Sequence, residues 1–384
     1  MNQDNLNFSI VFQKHIAILF LPHLPESKWY LKKIAGVPFL LRNILALQKM
    51  GIEKLVFWAE EPLHGQVEFL ASIKTDQRLQ LELDWANNEF ISSLPEAFSF
   101  LIFDGSTLLN GYEDQMVQMD ADNSKDFPEE LMQCLSKKKI YFLKSESLEQ
   151  PERLRDEKGF SVAEERLLKS GGLNNDSFMD RLITRFISRQ LTSFFLKTSF
   201  TPNQITILSL FIGLAAALCF LLGGYKMGIA GSVLLLVSAW VDCVDGEVAR
   251  LKFMTSEWVA KLDIVSDNIV HCSVFFAIGM GLYFSTGESV FKYLGMLAVL
   301  GNIAAFVLLS KAILGKKAEA TKKISFDTCS KKISDQLANR DFIYLLFALA
   351  LFGRLDVFIL LTAAGSNFFV IYLVFQKFKN TATR

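Results

Sequence analysis

The apolar positions of this chain change rhythm near its middle. Up to about Lys197 the apolar runs are short and mixed with charges, whereas from Ile205 they lengthen into blocks such as ITILSLFIGLAAALCFLLGGY. Blocks of that size approach the roughly 20 residues that cross a bilayer. The first opens at TPNQ, where Thr201 suits a cap and Pro202 the first helical turn. Further blocks at about 228–241, 258–283, 293–314, 342–352 and 357–375 bring the predicted spans to about six. The short block at 342–352 is expected to continue back into DQLANRD. An even number of spans returns both ends to one side.

In the first half, HIAILFLP and KLVFWA read as buried strands on either side of VPFLLRNILALQKMG, whose apolar spacing of three and four ends at a glycine. Strand, helix and strand in succession predict a parallel sheet covered by helices. AFSFLIFDGSTLL supplies a third strand and KKKIYFL a fourth. Asp104, at the end of the third, stands where such sheets place their active residues. GFSVAEERLLKS then turns helical, and GGLNNDS reads as a hinge. In FMDRLITRFISRQLTSFFLKT, Arg181, Arg185 and Arg189 recur every four residues, the pattern of a basic amphipathic helix at a membrane surface. The expected layout is an α/β domain over 1–171, a linker and juxtamembrane helix over 172–200, and an all-α polytopic membrane domain over 201–384.

Composition narrows the partners. Forty Lys and Arg balance forty Asp and Glu over 384 residues, which points away from nucleic acid. The start, MNQDNLNFSIVFQKH, lacks a basic segment followed by an apolar one, so no cleavable signal is expected and the first domain is assigned to the cytosol. The loop KAILGKKAEATKKISFDTCSKKISDQLANR and the tail QKFKNTATR are rich in cations, whereas GGYKMG, STGES and GRLD are nearly free of them. The cation-rich segments therefore fall on the cytosolic side, of the cell inner membrane, together with the first domain. Five cysteines (Cys134, Cys219, Cys243, Cys272, Cys329) show no metal-ligand spacing and read as small buried hydrophobes.

Against that background, VDCVDGEVARLKFMTSEWVAKLDIVSD is anomalous, because Asp242, Asp245, Asp263 and Asp267 stand within the apolar half. Carboxylates are costly near hydrocarbon and usually face a water-filled cavity with a purpose. Asp242 and Asp245 are three apart and Asp263 and Asp267 four apart, so each pair shares a helix face. Two like-charged faces in a low dielectric need shared protons or a cation. All-oxygen ligands without a His or Cys cluster favour Mg²⁺ or Mn²⁺ over Zn²⁺, with substrate phosphate completing the shell. Gly246 and Ala249 share the Asp242/Asp245 face and let a ligand approach the backbone, and Arg250 suits a phosphate. Close helix packing is the alternative use of such small residues.

DCVDGEVARLKFMTSEWVAKLDIVSD resembles the signature of the CDP-alcohol phosphotransferases. Asp242, Asp245, Gly246, Ala249, Arg250, Asp263 and Asp267 fall in register, while Val259 stands where that family carries a glycine close to the cytidine nucleotide. The resemblance implies six membrane helices and a metal-dependent transfer in which an acceptor alcohol attacks the donor's phosphorus and CMP leaves. It makes Asp242, Asp245, Asp263 and Asp267 the metal-site carboxylates, for two ions of Mg²⁺ or Mn²⁺ in the family's manner, with Asp267 also the general base. Asp242, Gly246, Ala249, Arg250, Val259 and Asn203 would hold the nucleotide. His271 and Lys311 are candidates for the acceptor, although a packing role for the histidine and a headgroup-anchoring role for the lysine are the competing readings.

KKIAGVPFLLRNILALQKMGIEKLVF resembles the early part of sugar-phosphate nucleotidyltransferases, a Rossmann-like fold. Their Gly-rich phosphate loop is replaced by LPHLPESKWYLKK, without glycine, so the first domain reads as degenerate. Domain order, TPNQITILS and LANRDFIYLL resemble the bifunctional inositol-phosphate cytidylyltransferase/di-inositol-phosphate-phosphate synthases. The implied donors are CDP-diacylglycerol or CDP-inositol, the acceptor an alcohol or alcohol phosphate, the setting membrane lipid, and the assembly a homodimer. A cation carrier and a catalytically silent scaffold are the alternatives.

Overall fold

The computed structural model describes residues 15–21, 30–59, 73–85, 99–109, 114–118, 127–135, 139–145, 154, 157–170, 183–314 and 341–382. The chain divides into two compact units, Met1–Ser170 and Gly171–Arg384.

The first unit is built on a six-stranded sheet: β1 (His15–Leu21), β4 (Lys54–Ala59), β5 (Glu82–Trp85), β6 (Ser99–Asp104), β7 (Asp114–Gln118) and β8 (Lys139–Ser145). Their spatial order is β5-β4-β1-β6-β8-β7, and all pairs are parallel except β7 with β8. The four expected strands are present. The two edge strands, ELDW and DQMVQ, were not foreseen because their sequences are too polar to stand out as apolar runs. Central Leu19 pairs in register with Phe57 on one side and Phe103 on the other, and all three are buried.

Between β1 and β4 lie a short hairpin, β2 (Lys33–Ile34) with β3 (Val37–Pro38), and helix α1 (Phe39–Lys49). The hairpin turns at Ala35 and Gly36, both with positive φ (47° and 77°), as a two-residue primed turn requires. Helices α2 (Glu129–Leu135) and α3 (Glu157–Ser170) complete the unit, and Glu164 of α3 accepts the Ala35 amide at 3.2 Å. Asn43 of α1, fully buried, donates to the Thr107 carbonyl (2.8 Å) and accepts from the Leu109 amide (3.1 Å), tying the helix to the exit of β6. There Asp104 accepts the amide and hydroxyl of Ser106 (2.8 and 2.6 Å). Burial, and then the charge of Asp104, hold the Tyr30 phenol above its ordinary range. The glycine-free stretch expected to replace a phosphate loop falls mainly on 22–29, outside the described residues.

The second unit is helical: α4 (Arg185–Leu196), α5 (Pro202–Leu222), α6 (Tyr225–Leu251), α7 (Glu257–Thr286), α8 (Ser289–Leu314), α9 (Asp341–Leu351) and α10 (Leu355–Ala382). Five of these, α5 to α8 and α10, are long and apolar enough to cross a membrane, which makes this an integral membrane unit. The apolar α9 is shorter, and the residues expected to extend it, 335–340, lie outside the described residues. The second span is much longer than the 228–241 read from apolar content, because the polar residues after Val241 continue the same helix.

Entry into α5 is fixed by a capping box in which Gln204 accepts the Thr201 amide at 2.9 Å. Small residues set the spacing between spans. A methyl group on Gly281 of α7 would collide with the carbonyl oxygen of Phe220 on α5, so only glycine permits that approach. Helix α6 ends in a Schellman turn: Met254 N donates to Ala249 O (2.8 Å) and Phe253 N to Arg250 O (3.3 Å), with Phe253 left-handed at φ 55°. Cys219, Cys243 and Cys272 are half-buried rather than buried as expected. The side chain of Cys134, and Cys329, lie outside the described residues.

Candidate functional site

Three consecutive spans assemble the site. From α6, the i, i+3 spacing of Asp242 and Asp245 turns both carboxylates the same way, and Asp263 meets them from α7. One carboxylate oxygen from each lies within 4.8 Å of the other two. Asp242 and Asp245 are buried, Asp263 half-buried. From α5, Thr206 donates a hydrogen bond to Oδ2 of Asp245, and Ser209 reaches Oδ1 of Asp242 at 3.4 Å. These hydroxyls orient the acids from a neighbouring helix.

The arrangement favours a cation. At such separations two unit charges repel by about 4 kcal/mol even at an effective dielectric of about 20. A divalent ion turns that repulsion into attraction, and three carboxylate oxygens are a hard donor set suited to Mg²⁺ or Mn²⁺. Asp242, Asp245 and Asp263 therefore fit such an ion.

Asp267 lies outside this trio. It lines a cavity with Asp242, Ser209, Ser238 and His271, and with Leu210, Leu235, Val270 and Ile343, so one carboxylate of the trio and Asp267 line a common space. His271 is packed edge-on against Phe342 (centroids 5.1 Å apart) and stacked on Phe275 (6.2 Å), and it also lines that cavity. On the other flank, a methyl at Gly246 would stand 3.4 Å from Nη1 of Arg250, so the guanidinium lies over the glycine. Ala249 is buried beside them. Val259 is half-buried in the first turn of α7, where its amide donates to the Ser256 cap at 3.2 Å. Asn203 is exposed in the first turn of α5. The side chain of Lys311 lies outside the described residues, as does Arg181.

A fifth acid went unnoticed in the sequence. Glu247 is buried on α6 and its two oxygens accept three bonds from α4: Arg185 Nη1 (2.7 Å), Ser188 Oγ (3.0 Å) and Thr192 Oγ1 (2.7 Å). Arg185 is thus turned into the protein, because a buried carboxylate requires a countercharge. The outward face of α4 carries Phe186 and Phe194, both more than 60% exposed. Lys252, at the end of α6, donates to the carbonyls of Thr198 and Phe200 (both 3.2 Å).

Residues 199–376, most of the helical unit, match the family model described as CDP-alcohol phosphatidyltransferase. The chain is 26% identical over 212 residues to a bifunctional IPC transferase and DIPP synthase of Thermococcus kodakarensis, covering 54% of this chain and 46% of the relative. It is 35% identical over 107 residues to a protein of the same description from Aquifex aeolicus (28% and 24% of the two chains). It is also 35% identical over 81 residues to an archaetidylinositol phosphate synthase of Pyrococcus horikoshii (21% and 42%). The matched stretches span less than half the length of each of these relatives. Among solved structures, it resembles Mycobacterium tuberculosis phosphatidylinositol phosphate synthase with CDP-DAG bound, at 21% identity and a TM-score of 0.35, over 50% of this chain and 92% of that one.

Proposed function

We propose that this chain transfers a substituted phosphate group from a CDP-alcohol to an acceptor hydroxyl and releases CMP. The observation that carries the reading is the convergence of Asp242, Asp245 and Asp263 from two helices, inside the stretch that matches the family model. A cation carrier would spread its acids along the membrane depth, whereas these three are gathered at one point. A bound divalent ion, or a pair of them, supplies charge neutralisation for the donor's diphosphate.

The remaining work falls to the chain. Gly246 and Ala249 leave room for the nucleotide, and Arg250 is placed to grip a phosphate in fork geometry. The acceptor oxygen forms a bond to the phosphorus that bears the donor's alcohol, the bond from that phosphorus to the CMP oxygen breaks, and the acceptor proton passes to Asp267. The donor is CDP-diacylglycerol or CDP-inositol and the acceptor an alcohol or alcohol phosphate. Val259 and Asn203 belong to the nucleotide side, and His271 and Lys311 to the acceptor side. The protein works as a homodimer with six spans, its first unit and its site on the cytosolic face of the inner membrane. The parallel sheet of that unit supports a nucleotidyltransferase ancestry, with nucleotidyl transfer lost.

The test is CMP release by the purified chain in detergent with Mg²⁺, from each donor separately and across a panel of alcohol and inositol-phosphate acceptors, repeated with EDTA. Release that EDTA abolishes is expected from one donor. No release from either donor with any acceptor would overturn the reading.

A further inference from the structure

The Glu247 lock stands behind the site rather than in it. Two residues advance a helix by about 200°, so Glu247 lies on the face of α6 opposite Asp245. Seven residues earlier on that rear face, Trp240 donates through Nε1 to the Tyr344 hydroxyl (3.2 Å), which is hydrogen-bonded in turn to Thr184 beside α4 (2.8 Å). The rear of α6 is thus held at two levels. Ser188 and Thr192 are almost wholly buried, and Glu247 takes a hydrogen bond from each.

Such a lock matters for geometry. A carboxylate stands about 5 Å from its helix axis, so a roll of about 20° would move it by about 2 Å. Mg²⁺ demands oxygens near 2.0–2.1 Å in almost ideal geometry, and a displacement of that size would break the trio. Packing of apolar side chains resists a roll weakly, because neighbouring rotamers can follow it. Three directed hydrogen bonds on one carboxylate resist it strongly.

We propose that Glu247 is a positioning residue: held by Arg185, Ser188 and Thr192 of α4, it fixes the roll of α6 so that Asp242 and Asp245 converge with Asp263. The inference rests on the metal site of the proposed function and adds α4 to its machinery. Nothing in it requires Glu247 to touch substrate.

The test is Mn²⁺ binding to the full chain in detergent, followed by electron paramagnetic resonance without any CDP donor. Glu247→Gln keeps the shape and removes the charge; Ser188→Ala with Thr192→Val removes two of the three bonds from α4 and leaves α6 untouched. Supporting groups around metal ligands typically cost about 10- to 100-fold in affinity when removed. Glu247→Gln is expected to weaken Mn²⁺ binding about tenfold, and the double variant by less in the same direction. In turnover, the metal concentration for half-maximal rate should rise while the rate at saturating Mn²⁺ changes little. Unchanged Mn²⁺ affinity in folded variants would overturn the inference, and if Glu247→Gln does not fold, the double variant decides it. An unmodified chain that binds no Mn²⁺ would overturn the metal reading and this inference together. Weakened binding in the variants without CMP release from any donor would leave the lock standing and overturn the phosphotransfer.

Discussion

Thr206 on α5 donates its hydroxyl hydrogen bond to Oδ2 of Asp245 on α6, so one acid of the trio is oriented by a neighbouring span. Hydrogen bonds to charged groups contribute about 1.5–3 kcal/mol. Thr206→Val keeps the shape and removes the donor. Titration of the purified variant should show Mn²⁺ affinity lower by about tenfold, with the thermal unfolding midpoint nearly unchanged. Equal affinity would mean that the hydroxyl leaves the ligand oxygen indifferent.

Asp263 and Asp267 are one turn apart on α7, yet only Asp263 joins the trio. Asp263→Asn is expected to abolish both Mn²⁺ binding and CMP release. Asp267→Asn should retain most Mn²⁺ binding and lose turnover by about 10²–10⁴-fold, the usual contribution of a general base. Comparable turnover in the Asp267 variant would remove it from the mechanism.

At Gly281, α7 lies directly against the Phe220 carbonyl of α5. Gly281→Ala forces the two helices apart, and overpacking of this kind costs about 1–3 kcal/mol. A clear fall in the unfolding midpoint in detergent is expected, together with weaker Mn²⁺ binding because α5 carries Thr206 and Ser209. An unchanged midpoint would show that the helices separate freely.

In the first unit, Arg78 grips Asp76 through Nε (2.8 Å) and Nη2 (2.7 Å), and chiefly for that reason the Asp76 carboxyl lies below its ordinary range. A depressed carboxyl contributes stability that is fully present above its unfolded value, about 3.9, and is lost as pH falls through the lower folded value. Neither partner is deeply buried, so the effect is small. Asp76→Asn should lower the midpoint at pH 7, and the two proteins should converge as acidification protonates the folded Asp76 carboxyl. A gap that persists in acid would assign the effect to packing.

Much of the site was legible because helices repeat: the spacings of three and four set Asp242 with Asp245 and Asp263 beside Asp267. Which member of the second pair completes the trio depends on the distance between helices, and spacing along one helix is silent about that. Glu247 was legible in principle. Arg185, Ser188 and Thr192 repeat at i, i+3 and i+7, a polar stripe matched to a buried acid. The spacing of Arg185 with Arg181 and Arg189 instead suggests a basic face at the membrane surface, because an amphipathic helix is expected to turn its charges outward, whereas here Arg185 turns in to Glu247 and Phe186 and Phe194 face out. Edge strands β5 and β7 escaped because they have little apolar surface to bury.

The helices that carry the trio and its polar supports, α4 to α7, follow one another between Arg185 and Thr286. Their mutual contacts are local in the chain, and local contacts form early. As synthesis proceeds from the N-terminus, the carboxylate trio can be in place before α8 and α10 have been inserted. Tyr344 arrives last and bolts the rear of α6 through Trp240 and Thr184. Damage to α9 or α10 is therefore expected to yield a protein that still binds the ion but holds it loosely, whereas damage to α5 leaves no site to hold.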